Sequence, residues 1–352
     1  MKDADWFRDP CPQPSKTHEE GAEARQTSLT KPPGSLGVLE RLAVRLAGLQ
    51  GTDRPKAENV AIVLFAGDHG ITAQGVSPYP SDVTVQMLGN FIQGGAAISV
   101  LSRELNASLE VVDAGSLAPD DLPGVVTDKP RRGTGDFSAE PAMTAAELAF
   151  ALAAGRRAVE RAANAKPDVL VLGEMGIGNT TSAAAITASL LDLPPVEIVG
   201  AGAGLDDEGI RRKAATIADA LQLHGLTGAL ADPLAVLQAV GGLEIAALAG
   251  AMIAAAQARI PVLVDGFIVT AAALTAARIN PACRDWLIFS HRSFERGHQI
   301  VLQALEAEPL LDLRLRLGEG SGAAVAVPLL RLACALHAGM ATFEEASVSG
   351  PC

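Results

Sequence analysis

The stretch VLVLGEMGIGNTTSAAAITASLL, residues 169–191, runs from a short apolar segment into a glycine-rich turn and then into an alanine-rich segment. Residues 169–172 predict a buried strand, and residues 183–191 predict a helix. Five further apolar runs end in glycine or a polar residue and precede a helical pattern: residues 60–65, 109–112, 196–199, 261–264 and 286–289. Continuous apolar strands that alternate with helices are typical of a parallel sheet covered on both faces. We therefore predict an α/β fold with a doubly wound, mainly parallel, Rossmann-like sheet.

The two ends of the chain differ from this alternating middle part. Residues 1–28 are polar, contain prolines and lack periodicity, so we expect an N-terminal arm. Leucines spaced three or four residues apart predict a helix over residues 38–49. We expect residues 29–55 and 305–352 to form a smaller helical domain from both chain ends. Residues 56–304 would then form the large α/β domain that carries most of the active site.

The composition excludes several function classes. The 352 residues carry a formal net charge of −12, and an acidic chain repels nucleic acid and anionic lipid. The N-terminus has no apolar core of a secretory signal, and the most apolar stretch, residues 245–258, is too short to span a bilayer. The four cysteines form no CxxC pair, which favours free thiols in a reducing compartment. We therefore expect a cytoplasmic protein with no nucleic-acid partner and no membrane partner.

The glycine-rich turn after residue 172 is the first candidate binding site. Backbone N–H groups at the start of a helix that follows a strand favour a phosphate. The spacing from Gly173 to Gly178 imitates a P-loop, but Asn179 stands where the lysine would be, which argues against a triphosphate. An ordinary glycine turn capped by hydroxyl side chains is the alternative. Lys213 could contact a monophosphate, with a solvated surface lysine as its alternative.

Two other patterns argue against common cofactors. Residues 200–204 have the pattern GxGxG instead of GxGxxG, and acidic residues follow where a pyrophosphate would lie, which disfavours a dinucleotide-dependent oxidoreductase. Asp68 and His69 lack a third ligand at metal spacing, so we expect hydrogen-bonded turn residues and no metal.

Two isolated side chains stand out chemically. Tyr79 is the single tyrosine and lies between two prolines, and an aromatic face on a stiff loop suits an aromatic ligand. Glu319 lies between glycines in the segment GEGSG, residues 318–322. In an apolar cleft its pKa would rise, which suits a general base. A glutamate that only interacts with the start of the next helix is about equally plausible on spacing alone.

Seven segments, in order over about residues 30–349, together resemble the nicotinate-nucleotide–dimethylbenzimidazole phosphoribosyltransferase family. They are KPPGSLG (31–37), AGDHG (66–70), VTVQM (83–87), EMGIGNTT (174–181), VGGLE (240–244), VDGF (264–267) and GEGSG (318–322).

The resemblance implies an activity. A member of this family transfers 5-phosphoribose from nicotinate mononucleotide to 5,6-dimethylbenzimidazole, giving nicotinate and α-ribazole 5′-phosphate for cobalamin nucleotide-loop assembly. The resemblance implies no metal, no other cofactor and a homodimer. The alternative is a catalytically idle nucleotide-binding or regulatory protein on the same scaffold, which loss of Glu319 would have favoured.

The resemblance also implies roles for individual residues. Glu319 would be the general base. The phosphate and ribose would be bound by Glu174, Met175, Gly176, Ile177, Gly178, Asn179, Thr180, Gly202 and Lys213. The aromatic base would be bound by Tyr79, Gln86, Met87 and Leu317.

Overall fold

The computed structural model describes residues 5–202, 204–228 and 231–349. Their strands form one sheet, and every neighbouring pair of strands is parallel, in the order β3-β2-β1-β4-β5-β6. The strands are β1 (Val60–Gly67), β2 (Ser108–Gly115), β3 (Val126–Thr127), β4 (Val169–Met175), β5 (Val262–Val264) and β6 (Leu287–Phe289). The strand order reverses between β1 and β4, and open parallel sheets bind ligands beyond the carboxyl ends of the strands at such a point.

Helices lie on both sides of the sheet, which confirms the predicted doubly wound α/β fold. Among the described residues they are α1 (Lys16–Ser28), α2 (Val38–Gln50), α3 (Asp82–Gln93), α4 (Ala97–Glu104), α5 (Ala145–Ala163), α6 (Asn179–Leu191), α7 (Pro195–Ile198), α8 (Asp207–Leu223), α9 (Pro233–Val240), α10 (Leu243–Gln257), α11 (Phe267–Ile279), α12 (Arg296–Ala304) and α13 (Ser321–Gly339).

The core is built from small aliphatic side chains, since only 3% of the residues are aromatic. Helix α5 packs closely against α10 at two glycines. A methyl carbon on Gly155 would lie 2.6 Å from the backbone nitrogen of Ala251, and one on Gly250 would lie 2.8 Å from the carbonyl carbon of Leu152. The two backbones therefore approach so closely that no side chain fits between them.

One predicted strand is wrong and one observed strand was not predicted. Residues 196–199 do not join the sheet, because Pro195 begins the single helical turn α7. Proline lacks an N–H for the strand ladder and is favoured at the first position of a helix. Strand β3 is only two residues long and lies at the sheet edge, too short to give a periodic signal.

The N-terminal segment contains more regular structure than its sequence pattern predicts. Trp6 and Phe7 are buried, and α1 packs against α2. Helix α1 is polar, so the absence of apolar periodicity concealed it. The Arg25 guanidinium donates to the carbonyls of His337 and Met340, which joins the two chain ends. The division of the chain into an arm, a small domain and a large domain stays a prediction.

Helix α13 is the one described helix that is long and apolar enough to cross a membrane by length and composition. Half of that apolar window is buried inside the protein. A core helix of a globular protein has the same length, composition and burial. The stretch singled out in the sequence as most apolar forms α10, whose side chains are buried along almost its whole length.

Candidate active site

A pocket of about 370 Å³ lies at the carboxyl ends of β4, β5 and β6. This is within the usual size range for a small-molecule site. Its lining includes most of the residues predicted from the sequence: Tyr79, Met87, Glu174, Met175, Gly176, Ile177, Asn179, Thr180, Gly202, Leu317 and Glu319. Segments more than 200 residues apart in the chain therefore meet at one edge of the sheet.

Three predicted residues do not line the pocket. Lys213 is buried behind it, with its Nζ 2.7 Å from the Thr180 hydroxyl oxygen. Gly178 precedes α6 with a φ of 95°. Gln86 is exposed on α3, one residue before Met87. Of the three, only Lys213 directly contacts a lining side chain among the hydrogen bonds of the described residues.

The loop after β4 is held in a tight turn by its neighbours. The Ile177 backbone N–H donates to the Thr84 hydroxyl at 3.1 Å, and the Asn179 amide donates to the Glu174 carboxyl group. A methyl carbon on Gly176 would overlap with the carbonyl oxygen of Gly67, so only glycine fits there. Helix α6 begins directly after this loop with no side-chain cap, which directs the positive end of the helix at the pocket.

Two buried groups set the charge of this loop. Burial raises the pKa of Glu174 to about 8, and the charges of Asp265 and Glu244 add to the effect. Burial lowers the pKa of Lys213 to about 8, while the Glu295 carboxylate opposes the change. At neutral pH the carboxyl group is therefore mostly protonated and the lysine is mostly charged, which favours an anion at this end of the pocket.

Glu319 has an unusual backbone conformation. Its φ is +64°, and those of Gly318 and Gly320 on either side are +90° and +81°. The Glu319 N–H donates to the carbonyl of Glu174 at 3.1 Å. The carbonyl carbon of Glu319 lies so close to β4 that a methyl carbon on Gly173 would be 2.5 Å from it.

The Glu319 side chain is a buried carboxyl group at the pocket wall, with 5% of the residue exposed. Its Oε2 accepts a hydrogen bond from the Ile98 N–H at the start of α4, 3.2 Å away. Burial raises its pKa, and the charge of Asp265 adds to this, while the backbone N–H groups of Ile98 and Ala97 oppose it. The raised pKa makes the carboxylate a stronger base than an exposed glutamate.

Several lining residues were not predicted, among them Gly266, His291, Ser293 and Arg316. Gly266 and His291 follow the ends of β5 and β6, so the strand-end pattern contained a signal for both. Arg316 lies in a segment outside the helices and strands, with no periodic pattern. Its Nη1 is 3.4 Å from the Gly202 carbonyl oxygen.

The predicted turn residues Asp68 and His69 are buried beneath the loop after β4. The two ring nitrogens of His69 lie 2.9 Å from the Ser182 hydroxyl and 2.7 Å from the Glu244 carboxylate. Asp68 accepts from the Leu117 N–H at 2.8 Å. In the part of the chain that the structure describes, no group of three or more His, Cys, Asp or Glu side chains has an arrangement that could hold a metal ion.

Comparisons with known proteins show the family of this chain. Residues 11–348 match the model of a family described as phosphoribosyltransferase. A nicotinate-nucleotide–dimethylbenzimidazole phosphoribosyltransferase from Bradyrhizobium sp. (strain ORS 278) is 65% identical, over 98% of this chain and 98% of its own length. One with the same name from Pseudomonas putida (strain W619) is 58% identical, with the same coverage of both chains.

A crystal structure of the enzyme of this name from Thermus thermophilus has a TM-score of 0.90 and 46% sequence identity. The match covers 96% of this chain and 100% of that chain. A family match over nearly the whole length, together with relatives of this identity, confirms the resemblance found in the seven sequence segments. The chain is an enzyme, and it belongs to the nicotinate-nucleotide–dimethylbenzimidazole phosphoribosyltransferase family.

Proposed function

We propose that this chain transfers 5-phosphoribose from nicotinate mononucleotide to 5,6-dimethylbenzimidazole, releasing nicotinate and α-ribazole 5′-phosphate. The names of its relatives support these substrates. The observation that carries the proposal is that two chemically different groups line one pocket. They are the glycine-rich loop after β4, backed by Lys213, and the buried carboxyl group of Glu319.

Glu319 acts as the general base in this proposal. Its carboxylate takes the ring N–H proton of the benzimidazole while the other ring nitrogen forms a bond to C1′ of the ribose. The bond between C1′ and the nicotinate nitrogen breaks, and its electron pair returns to the pyridine ring. The configuration at C1′ is inverted, and the azole never carries a full positive charge. General-base assistance of this kind contributes about 10²–10⁴-fold.

Different parts of the pocket lining orient the two substrates. The phosphate lies at the start of α6, where the segment from Glu174 at the end of β4 to Thr180 in the first turn of α6 surrounds it and Lys213 supplies the positive charge. The ribose lies beside Gly202. The benzimidazole lies against the apolar side chains of Tyr79, Met87 and Leu317, with the Gln86 amide at the rim.

We also propose a homodimer and a cytoplasmic location. Large apolar side chains are exposed close to the pocket: Tyr79 (52%), Leu317 (61%), Phe294 (63%) and Leu313 (53%). A second copy of the chain would cover such a surface. The cysteines among the described residues, Cys11, Cys283 and Cys334, are buried free thiols, which supports a reducing compartment.

The reaction is tested with purified protein, nicotinate mononucleotide and a panel of benzimidazoles, with mass detection of the riboside phosphate. We expect a product whose mass equals that of the azole plus ribose phosphate less one water, and one nicotinate released per product. A reaction without azole is the control for hydrolysis. Tight nucleotide binding without product for any azole would instead support the idle nucleotide-binding alternative.

Replacing Lys213 tests the phosphate end of the pocket. We expect Lys213→Ala to raise KM for nicotinate mononucleotide about 10–100-fold and to change KM for the azole little, because only the nucleotide carries the phosphate. Arg212→Ala, which removes an exposed charge from the neighbouring position on α8, is the matched control. Equal effects of Lys213→Ala on both KM values, measured by steady-state kinetics, would contradict the assignment.

The charge of the loop predicts a pH dependence. As the pH rises through about 8, Glu174 loses its proton and becomes negative, and Lys213 loses its positive charge. Both changes weaken binding of a phosphate, so KM for nicotinate mononucleotide should rise above about pH 8, whereas KM for the uncharged azole should not. Glu174→Gln removes one of the two groups and should reduce this rise. A KM for the nucleotide that is constant up to about pH 9 would contradict the prediction.

A further inference from the structure

Asp265 attaches the end of β5 to the start of α13. It is 1% exposed and does not line the pocket. Its Oδ2 accepts from the Gly320 N–H at 3.1 Å, and its Oδ1 accepts from the Ala323 N–H at 2.9 Å. One carboxylate therefore spans the first turn of the helix that follows Glu319.

These two hydrogen bonds replace a missing helix cap. Gly320 is the N-cap residue of α13 and has no side chain that could accept from the first N–H groups. A carboxylate from a neighbouring strand satisfies two of them, and hydrogen bonds to an ionised acceptor are about twice as strong as neutral ones. Since strand β5 is paired on both sides, with β4 and β6, Asp265 fixes the start of α13 to the interior of the sheet.

The residue that this attachment affects most directly is Glu319. Glu319 precedes Gly320 in the chain and has a left-handed φ of +64°, a backbone conformation that is unfavourable for a residue other than glycine. Such a conformation persists only where surrounding contacts impose it. The Glu319 N–H bond to Glu174 holds one side of this residue, and the Asp265 carboxylate holds the other through Gly320.

We propose that Asp265 is a positioning residue for Glu319: it holds the carboxyl group of the base at the pocket wall, and its negative charge strengthens that base. The proposal rests on the proposed function, in which Glu319 accepts the proton. Asp265 itself touches no substrate and takes no proton.

Electrostatics supports the second part of the proposal. Burial is the largest cause of the raised pKa of Glu319 and of Glu174, and the negative charge of Asp265 adds to it at both residues. Among the described residues, His291 at the end of β6 also faces Asp265, with its Nε2 3.4 Å from Asp265 Oδ1. Glu174 on β4 also faces Glu319, whose charge contributes to the raised pKa of Glu174. The groups of α4 that contact the Glu319 carboxyl group are backbone N–H groups, and they lower its pKa. Removing the charge of Asp265 therefore lowers the proton affinity of the base.

The test is Asp265→Asn. An asparagine keeps the shape, but its Nδ2 cannot accept a hydrogen bond, and the negative charge is lost. We expect kcat to fall about 10–100-fold with little change in either KM, because Asp265 lies outside the pocket lining and contacts neither substrate. We also expect the acid limb of the kcat profile, where Glu319 becomes protonated, to move to lower pH.

Asp113→Asn is the matched control. Asp113 is also a buried aspartate near the end of a parallel strand, β2, and it accepts from the N–H groups of Gly115 and Ser116 at 3.2 and 2.7 Å. It lies outside the pocket lining. A merely structural loss should lower the melting temperature of both variants, but only Asp265→Asn should move the acid limb.

An unchanged kcat, or an acid limb at the wild-type pH, in folded Asp265→Asn would overturn the proposal. If that variant fails to fold, Asp265→Ser provides one acceptor without charge and is judged by the same two measurements. The charge of Asp265 would also be shown not to strengthen the base if the acid limb of the wild-type kcat profile had its midpoint at or below the ordinary pKa of a glutamate. Full activity of Glu319→Gln would instead reject Glu319 as the base. If Glu319→Gln is inactive but the acid limb of the kcat profile does not move in Asp265→Asn, only the role of Asp265 is rejected.

Discussion

Glu319→Gln is expected to lower kcat by about 10²–10⁴-fold while KM for nicotinate mononucleotide stays within about twofold of the wild-type value. The amide has the same shape as the carboxylate, and its oxygen can still accept from the Ile98 N–H. It cannot take a proton at any ordinary pH, so the azole would have to attack C1′ without a base. Steady-state kinetics with both substrates, together with nucleotide binding by calorimetry, measures the two parameters separately.

The matched control is Glu306→Gln. Glu306 is a second glutamate with a left-handed φ, +49°, but it is exposed and lies outside the pocket. The same exchange of carboxylate for amide should therefore leave kcat unchanged there. Wild-type turnover in Glu319→Gln would remove this carboxyl group from the mechanism. A large loss of nucleotide affinity in that variant would show that its effect is on binding and not on proton transfer.

The sheet could be predicted because each central strand carries its own signal. A strand buried on both faces must be apolar, as residues 169–172 are, and β4 continues from them through Gly173 to Met175 at the ligand edge. The run at 196–199 has the same composition, but Pro195 directs it into a helical turn. Strand β3 and the polar helix α1 form through contacts with the neighbouring elements β2 and α2, and the pattern within each segment does not contain those contacts.

The site could be predicted only in part from local patterns. The loop after β4 has its own signature of strand, glycines and helix. Glu319 was distinguished from an ordinary helix-start glutamate only by the resemblance, because its chemistry depends on burial. That burial comes from α4 and β4, more than 140 residues away in the chain. Arg316 and the role of Asp265 likewise depend on which segments the fold brings together.

Gly173→Ala is expected to lower kcat by about 10²-fold, although Gly173 carries no functional group. The added methyl carbon would lie 2.5 Å from the carbonyl carbon of Glu319 and 2.7 Å from the backbone nitrogen of Gly320. These are backbone atoms, so they cannot rotate away as a flexible side chain can. The GEGSG segment must move away from β4, and Glu319 moves with it. Forcing extra volume into a packed site also costs about 1–3 kcal/mol of stability.

Gly89→Ala separates this displacement from the general effect of adding a methyl group. Gly89 lies in α3, where the nearest atom to the added carbon is 3.9 Å away, so the variant should keep wild-type kcat and gain up to about 1 kcal/mol from helix propensity. Urea unfolding and steady-state kinetics of both variants give the comparison. If Gly173→Ala had wild-type kcat, the contact between β4 and the GEGSG segment would be irrelevant to catalysis. If kcat instead falls by more than the loss of folded protein can explain, strand β4 determines the position of the Glu319 carboxyl group.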